Sequence, residues 1–214
     1  MLELHNIDVS VGGRRLISGL SLNVSAGEIV TLMGASGSGK SSLLSYIGGD
    51  LDPAFTGSGI IKLNQTVLNG LAPERRHVAR LFQDDLLFPH MTIGENLLFA
   101  VPKMPQSQRL EMMRTALVRA DLEGFETRAP HTLSGGQRAR VSLMRALLSK
   151  PAAILLDEPF NKLDQALRQS IRDYVFSHIR AREIPALLVT HDVADAPPGG
   201  RIITLPDVRG DNNA

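Results

Sequence analysis

Residues 34–41 read Gly-Ala-Ser-Gly-Ser-Gly-Lys-Ser, GASGSGKS, and the fold turns on this stretch. An apolar run, Ile29 to Met33, comes before it, and Leu43, Leu44 and Ile47 follow at a spacing that predicts a helix. A glycine-rich turn between a strand and a helix is a phosphate-binding loop. Gly34, Gly37 and Gly39 let the backbone turn tightly and aim successive N–H groups inward, at the positive end of the next helix, where polyphosphate oxygens can sit. Lys40 adds a mobile positive charge for the terminal phosphates. Ser41 offers a hydroxyl to a magnesium ion, a hard cation that keeps several waters and needs only one or two protein oxygens beside the phosphates. The candidate nucleotide contacts are therefore Gly34, Ala35, Ser36, Gly37, Ser38, Gly39, Lys40, Ser41 and Ser42.

The 214 residues suit one α/β domain over 1–214 with an inserted lobe better than two independent domains. Acidic and basic residues are interleaved and the formal charge is +1, so no nucleic-acid partner is expected. Cysteine is absent, which excludes disulfides and thiolate metal sites. MLELHNIDVS lacks the pattern of a secretory signal, and no run of about 18 apolar residues is present. Any membrane role is expected to come through a partner.

Leu2 to Val24 alternate as strands around a turn at Gly12 and Gly13, and Gly57 to Leu68 alternates again, with Ile61, Leu63 and later Val67, to rejoin the same antiparallel sheet. Ile29–Met33, Val78–Phe82, Ala153–Leu156 and Ala186–Thr190 read as further strands, those without alternation being covered on both faces. Residues 84–150 are mostly an inserted helical lobe punctuated by prolines. Within it Ser107 to Ala120 predicts a helix capped by Ser107, and Gly135 to Ser149 another with Val141, Met144 and Leu148 on one face. Asp164 to Arg182 predicts a long amphipathic helix, Arg201 to Leu205 a last strand, and the terminal GDNNA a frayed tail.

Two carboxylates, Asp157 and Glu158, follow the buried strand at Ala153, at the carboxyl end where α/β sheets place ligands. Asp157 is assigned to the magnesium, largely through water; Glu158 points the other way, placed to polarise a water for attack on a γ-phosphate. LSGGQRAR, Leu133 to Arg140, sets Ser134, Gly135 and Gly136 at a second helix amino terminus with its own backbone donors. One nucleotide does not need two such loops.

Here the sequence resembles the ATP-binding cassette family, whose signature motif is LSGGQ, and the resemblance covers nearly the whole chain. It implies a P-loop NTPase core with a mostly parallel sheet, an N-terminal antiparallel β-subdomain and an inserted α-helical subdomain. It also implies ATP and Mg2+ as ligands and a head-to-tail homodimer, in which Ser134, Gly135, Gly136 and Gln137 of one chain complete the ATP site of the other. By the same resemblance Gln83 contacts the metal and the attacking water and links the core to the helical lobe. His191, in VTHD, contacts the γ-phosphate, and Leu163 and Asp164 of NKLD match a loop that couples the two chains. Three features depart from the family. Val11 stands where an aromatic residue usually stacks on adenine, which leaves base selectivity open, and Asn161 and Lys162 replace the common serine and alanine. The segment after His191 is shortened, and no regulatory carboxyl-terminal domain is expected.

FPHMTIGEN, after Gln83, is similar to import-system subunits in particular. The implied function is an ATP-hydrolysing subunit on the cytoplasmic face of a bacterial inner membrane. It would energise solute import through separate integral membrane permease subunits, with a periplasmic solute-binding protein. The alternatives are a soluble ATPase of the same family in DNA repair or translation, and a phosphotransferase of the wider P-loop class.

Overall fold

Leu2, Leu4, Ile7 and Val9 are fully buried, and the odd step from Leu4 to Ile7 needs a bulge to keep all four on one face. Asn6 supplies it with a φ of 49°, where the pairing register also shifts. In the computed structural model, which describes residues 1–206, this strand is β1 (Leu2–Val11). It lies between β2 (Arg14–Val24) and β4 (Phe55–Leu63), both antiparallel to it, with Leu2 opposite Val24 on one side and Leu63 on the other. The short β5 (Thr66–Val67) completes the order β2-β1-β4-β5. Val67 faces solvent, and its neighbour Leu68 takes the buried place.

A second sheet holds β3 (Ile29–Met33), β6 (Val78–Leu81), β7 (Ala153–Asp157), β8 (Ala186–Val189) and β9 (Ile202–Thr204) in the order β6-β7-β8-β3-β9. β3 runs parallel to β8 and β9, and β7 parallel to β8. β3, β7 and β8 are apolar almost throughout because both faces are covered. The helix after the phosphate loop is α1 (Lys40–Gly48); its Leu43, Leu44 and Ile47 join Leu4, Val24 and Leu155 in one core. Arg76 pins the end of α1 by donating from Nη1 to the carbonyls of Tyr46 (2.9 Å) and Ile47 (2.8 Å), where a cation also meets the negative end of the helix dipole.

The chain divides into two compact units, the first comprising Met1–Arg80, Ala152–Asp157 and Ile179 onward, the second Leu81–Pro151 and Glu158–His178. The second unit contains α2 (Ile93–Ala100), α3 (Gln106–Arg119), α4 (Gly135–Leu148) and most of α5 (Gln165–Ala181). Leu97, Leu117, Val141 and Met144 are buried there. The expected cap at Ser107 is wrong. Pro105 is the residue before the first turn of α3, its carbonyl accepts from the Arg109 N–H at 3.1 Å, and no side chain caps the helix, so Ser107 lies one residue inside it. Arg140 of α4 closes the other end of α3, donating to the carbonyls of Ala120 (2.7 Å) and Asp121 (3.3 Å). The GDNNA tail lies outside the described residues.

Candidate nucleotide site

In the first unit the phosphate loop joins β3 to α1. Gly34, Gly37 and Gly39 have φ values of 151°, 80° and 87°, the region in which a Cβ would clash with the chain's own backbone. Gly39 stands directly before α1, and its carbonyl accepts from the Leu43 N–H at 2.8 Å. It also packs closely: a Cβ there would lie 2.8 Å from Leu16 Cβ, so β2 is seated against the loop. Lys40 is not simply a surface charge. Its Nζ donates to the carbonyls of Gly34 and Ala35, each at 2.8 Å, and to Ser38 Oγ at 3.4 Å, so the ammonium also organises the loop.

Asp157 ends β7 with its side chain 2% exposed. It shares its surroundings with Ser41 through Arg80, whose guanidinium donates to the Ser41 carbonyl at 3.3 Å and lies 4.0 Å from Asp157 Oδ2. A hydroxyl and a buried carboxylate are hard oxygen donors that fit Mg2+. Among the described residues no group of three or more His, Cys, Asp or Glu could hold a metal by itself. Ser41 and Asp157 could each offer one such oxygen to an ion otherwise held by phosphate and water.

His191 is exposed just beyond β8. The turn that presents it is built on two buried residues that the sequence reading did not single out, Thr190 and Asp195. Thr190 Oγ1 donates to Asp195 Oδ2 and accepts from the Asp192 N–H, both at 3.1 Å, and Asp192 Oδ1 accepts from the Ala194 N–H at 2.9 Å. A Thr and an Asp five residues apart after a buried strand is the signal that could have pointed to them.

In the second unit Gln83, Asp85, Ser142, Glu158 and Lys162 line one small pocket, so Gln83 and Glu158 are brought together. Glu158 has a φ of 50°, a strained conformation for a residue with a side chain. Asn161 Nδ2 donates to its Oε2 at 2.9 Å. Asp85 meets Arg138 Nε at 3.2 Å and Lys162 Nζ at 3.4 Å, tying the segment after Gln83 to α4 and to NKLD. At the start of α4 Ser134 Oγ accepts from the Gln137 N–H (3.2 Å), and Gln137 Oε1 accepts from the Ser134 N–H (2.9 Å). This capping box fixes the first turn and leaves Gly135 and Gly136 with backbone donors at a helix amino terminus. Gly136 also passes so close to Lys162 that a Cβ would lie 2.8 Å from its carbonyl oxygen.

A parallel α/β core with a phosphate loop, and a lobe with a second glycine-bearing helix start, define a P-loop nucleotide-binding enzyme. Comparison with known proteins narrows the class. The ABC transporter family matches residues 17–161. The ABC transporter ATP-binding protein YnjD of Escherichia coli strain K12 is 44% identical over 206 residues, covering 96% of this chain and 95% of that protein. The Fe(3+) ions import ATP-binding protein FbpC of the same strain is 36% identical, covering 91% of this chain and 56% of that protein. A solved dimeric ATP-binding cassette in a post-hydrolysis state, bound to ADP and Pi, superposes with a TM-score of 0.83 at 31% identity, covering 96% of this chain and 94% of that one. The chain belongs to the ABC transporter ATPase family. It is an ATP-binding, ATP-hydrolysing cassette with that family's fold: a mostly parallel P-loop core, an antiparallel β-subdomain and an α-helical subdomain. It spans about half the length of relatives such as FbpC.

Proposed function

We propose that this cassette energises import of a solute across a bacterial inner membrane through separate permease subunits. In this reading it acts as a head-to-tail dimer on the cytoplasmic face, with a periplasmic binding protein delivering the solute. The observation that carries the dimer is the presence of two glycine-bearing helix starts, α1 behind Gly39 with no side-chain cap and α4 behind the capping box of Ser134, whose first N–H groups can meet an anion. A single nucleotide occupies one of them, and the other is available to the nucleotide of a second copy. Import is supported by relatives whose names are those of Fe(3+) and sn-glycerol-3-phosphate import ATP-binding proteins. No helix among the described residues is long and apolar enough to cross a membrane, so attachment would be through the permease.

In this scheme the backbone from Gly34 to Ser42 and the Lys40 ammonium grip the β- and γ-phosphates. Ser41, Asp157 and Gln83 would hold Mg2+, which would supply positive charge to offset the charge building up on the phosphates. Glu158 takes a proton from the attacking water, Gln83 orients that water, and His191 donates a hydrogen bond to the γ-phosphate. Ser134, Gly135, Gly136 and Gln137 close over the nucleotide of the partner. The test is to purify the tagged chain from its native membrane in mild detergent and identify what comes with it. Permease subunits whose complex hydrolyses ATP faster when a periplasmic ligand-loaded protein is added are the expected result. A chain recovered only from the soluble fraction, alone or with nucleic acid, would overturn the reading.

A further inference from the structure

Arg80 lies on β6 with its side chain only 10% exposed, behind the phosphate loop rather than in it. Its Nη1 donates to Ser45 Oγ at 2.7 Å and to Asp50 Oδ2 at 2.5 Å, while its Nη2 reaches the Ser41 carbonyl at 3.3 Å and stands 4.0 Å from Asp157 Oδ2. One guanidinium thus faces two carboxylates at unequal distances, held close by Asp50 and left at arm's length from Asp157. Asp50 is itself firmly placed. Its N–H donates to the Ser45 carbonyl at 3.1 Å, and its Oδ1 is seated against the end of α1, where a Cβ on Gly48 would come within 2.7 Å of it.

We infer that Asp50 is a positioning residue that keeps the Arg80 guanidinium off Asp157, and so sets the Mg2+ concentration at which the site works. The inference rests on the reading of Ser41 and Asp157 as the magnesium residues. The physical reason is competition. A guanidinium and a divalent cation both seek the Asp157 carboxylate, and a cation shifted from 4.0 Å to hydrogen-bond contact would repel the metal and occupy an oxygen it needs. Arg80 has too many anchors on α1 to leave, through Ser41 and Ser45, but its guanidinium can pivot between the two aspartates. Asp50 decides the direction of that pivot.

The full chain is titrated with Mg2+ in the presence of a fluorescent, non-hydrolysable ATP analogue, with a parallel titration of the analogue in EDTA. In Asp50→Asn the Mg2+ half-saturation is expected to rise about tenfold, equivalent to roughly 1.4 kcal/mol, with metal-free affinity unchanged within about twofold. Arg80→Met removes the competing cation and is expected to lower half-saturation by about threefold, and adding it to Asp50→Asn should abolish the rise. A wild-type Mg2+ response in Asp50→Asn, a rise that persists in the double variant, or no fall in Arg80→Met alone would each overturn the inference. Should Asp50→Asn not fold, Arg80→Met still decides it. If the wild type binds the analogue equally well in EDTA and in saturating Mg2+, it is the underlying magnesium assignment that fails.

Discussion

Replacing Gly39 with alanine asks for a methyl group where β2 already sits. At a φ of 87° a residue with a side chain costs about 1–2 kcal/mol in left-handed strain alone. The added Cβ would also lie 2.8 Å from Leu16 Cβ and 3.4 Å from two atoms of Ile17, an overpacking of the kind that costs about 1–3 kcal/mol. The sum, about 2–5 kcal/mol, is a large part of the roughly 5–15 kcal/mol that holds a domain folded. Gly70 provides the control, since its φ is 75° but nothing lies within 4 Å of a Cβ there. Gly70→Ala should therefore lose only the strain, about 1–2 kcal/mol, and the difference between the variants isolates the contact with β2. Urea unfolding of both variants measures the difference, and titration with an ATP analogue measures its consequence. Gly39→Ala should lose at least about tenfold in affinity because Gly39 joins the loop to α1, whereas Gly70→Ala should lose none. Equal destabilisation of the two would show that β2 yields freely. Wild-type affinity in Gly39→Ala would refute the loop as the phosphate cradle.

Glu158→Gln should bind Mg2+ and ATP while hydrolysing it about 10²- to 10⁴-fold more slowly, and accumulate a dimer visible by size exclusion; undiminished turnover would remove Glu158 from the proton-transfer role. Asp195→Asn weakens the buried bond to Thr190 that supports the turn carrying His191, and should cost about 1–3 kcal/mol in urea unfolding together with a fall in kcat at nearly unchanged KM; lost stability with full kcat would make the turn merely structural. Glu95 closes the capping box of α2, and hydrogen bonds from the Thr92 backbone N–H and then its hydroxyl hold its carboxyl below the ordinary glutamate value. A depressed value in the folded state means that this stabilisation is present above the unfolded value and is lost as pH falls through the folded one. The gap in urea midpoint between wild type and Glu95→Gln should accordingly shrink as pH falls from about 6 to about 3, and a constant gap would contradict the assignment.

What the sequence made legible is what depends on neighbours along the chain. The glycine-rich loop between an apolar run and a helix pattern, the alternation of β1 and the apolar stripes of α3 and α4 are local, and they appear where their periodicity puts them. The misjudged cap at Ser107 is local too, but there two good signals compete, and a proline that already holds an extended turn ended the contest. Contacts between distant residues were not legible. Arg80 and Asp50 are 30 positions apart and look, in sequence, like an ordinary strand cation and a loop acid. Lys40 reads as a ligand for phosphate, and nothing in GASGSGKS says that its ammonium would first be bound by the carbonyls of Gly34 and Ala35.

The clamp of Arg140 on the end of α3 has a mechanical meaning. For α4 to slide along α3, a guanidinium 8% exposed would have to leave the carbonyls of Ala120 and Asp121, and hydrogen bonds made by a charged group of that kind contribute about 1.5–3 kcal/mol each, several times thermal energy. The two helices therefore yield together or not at all. A displacement of the capped tip at Ser134 is carried without slippage into α3, whose 14 residues span about 21 Å, so the pair works as a stiff lever rather than a cushion.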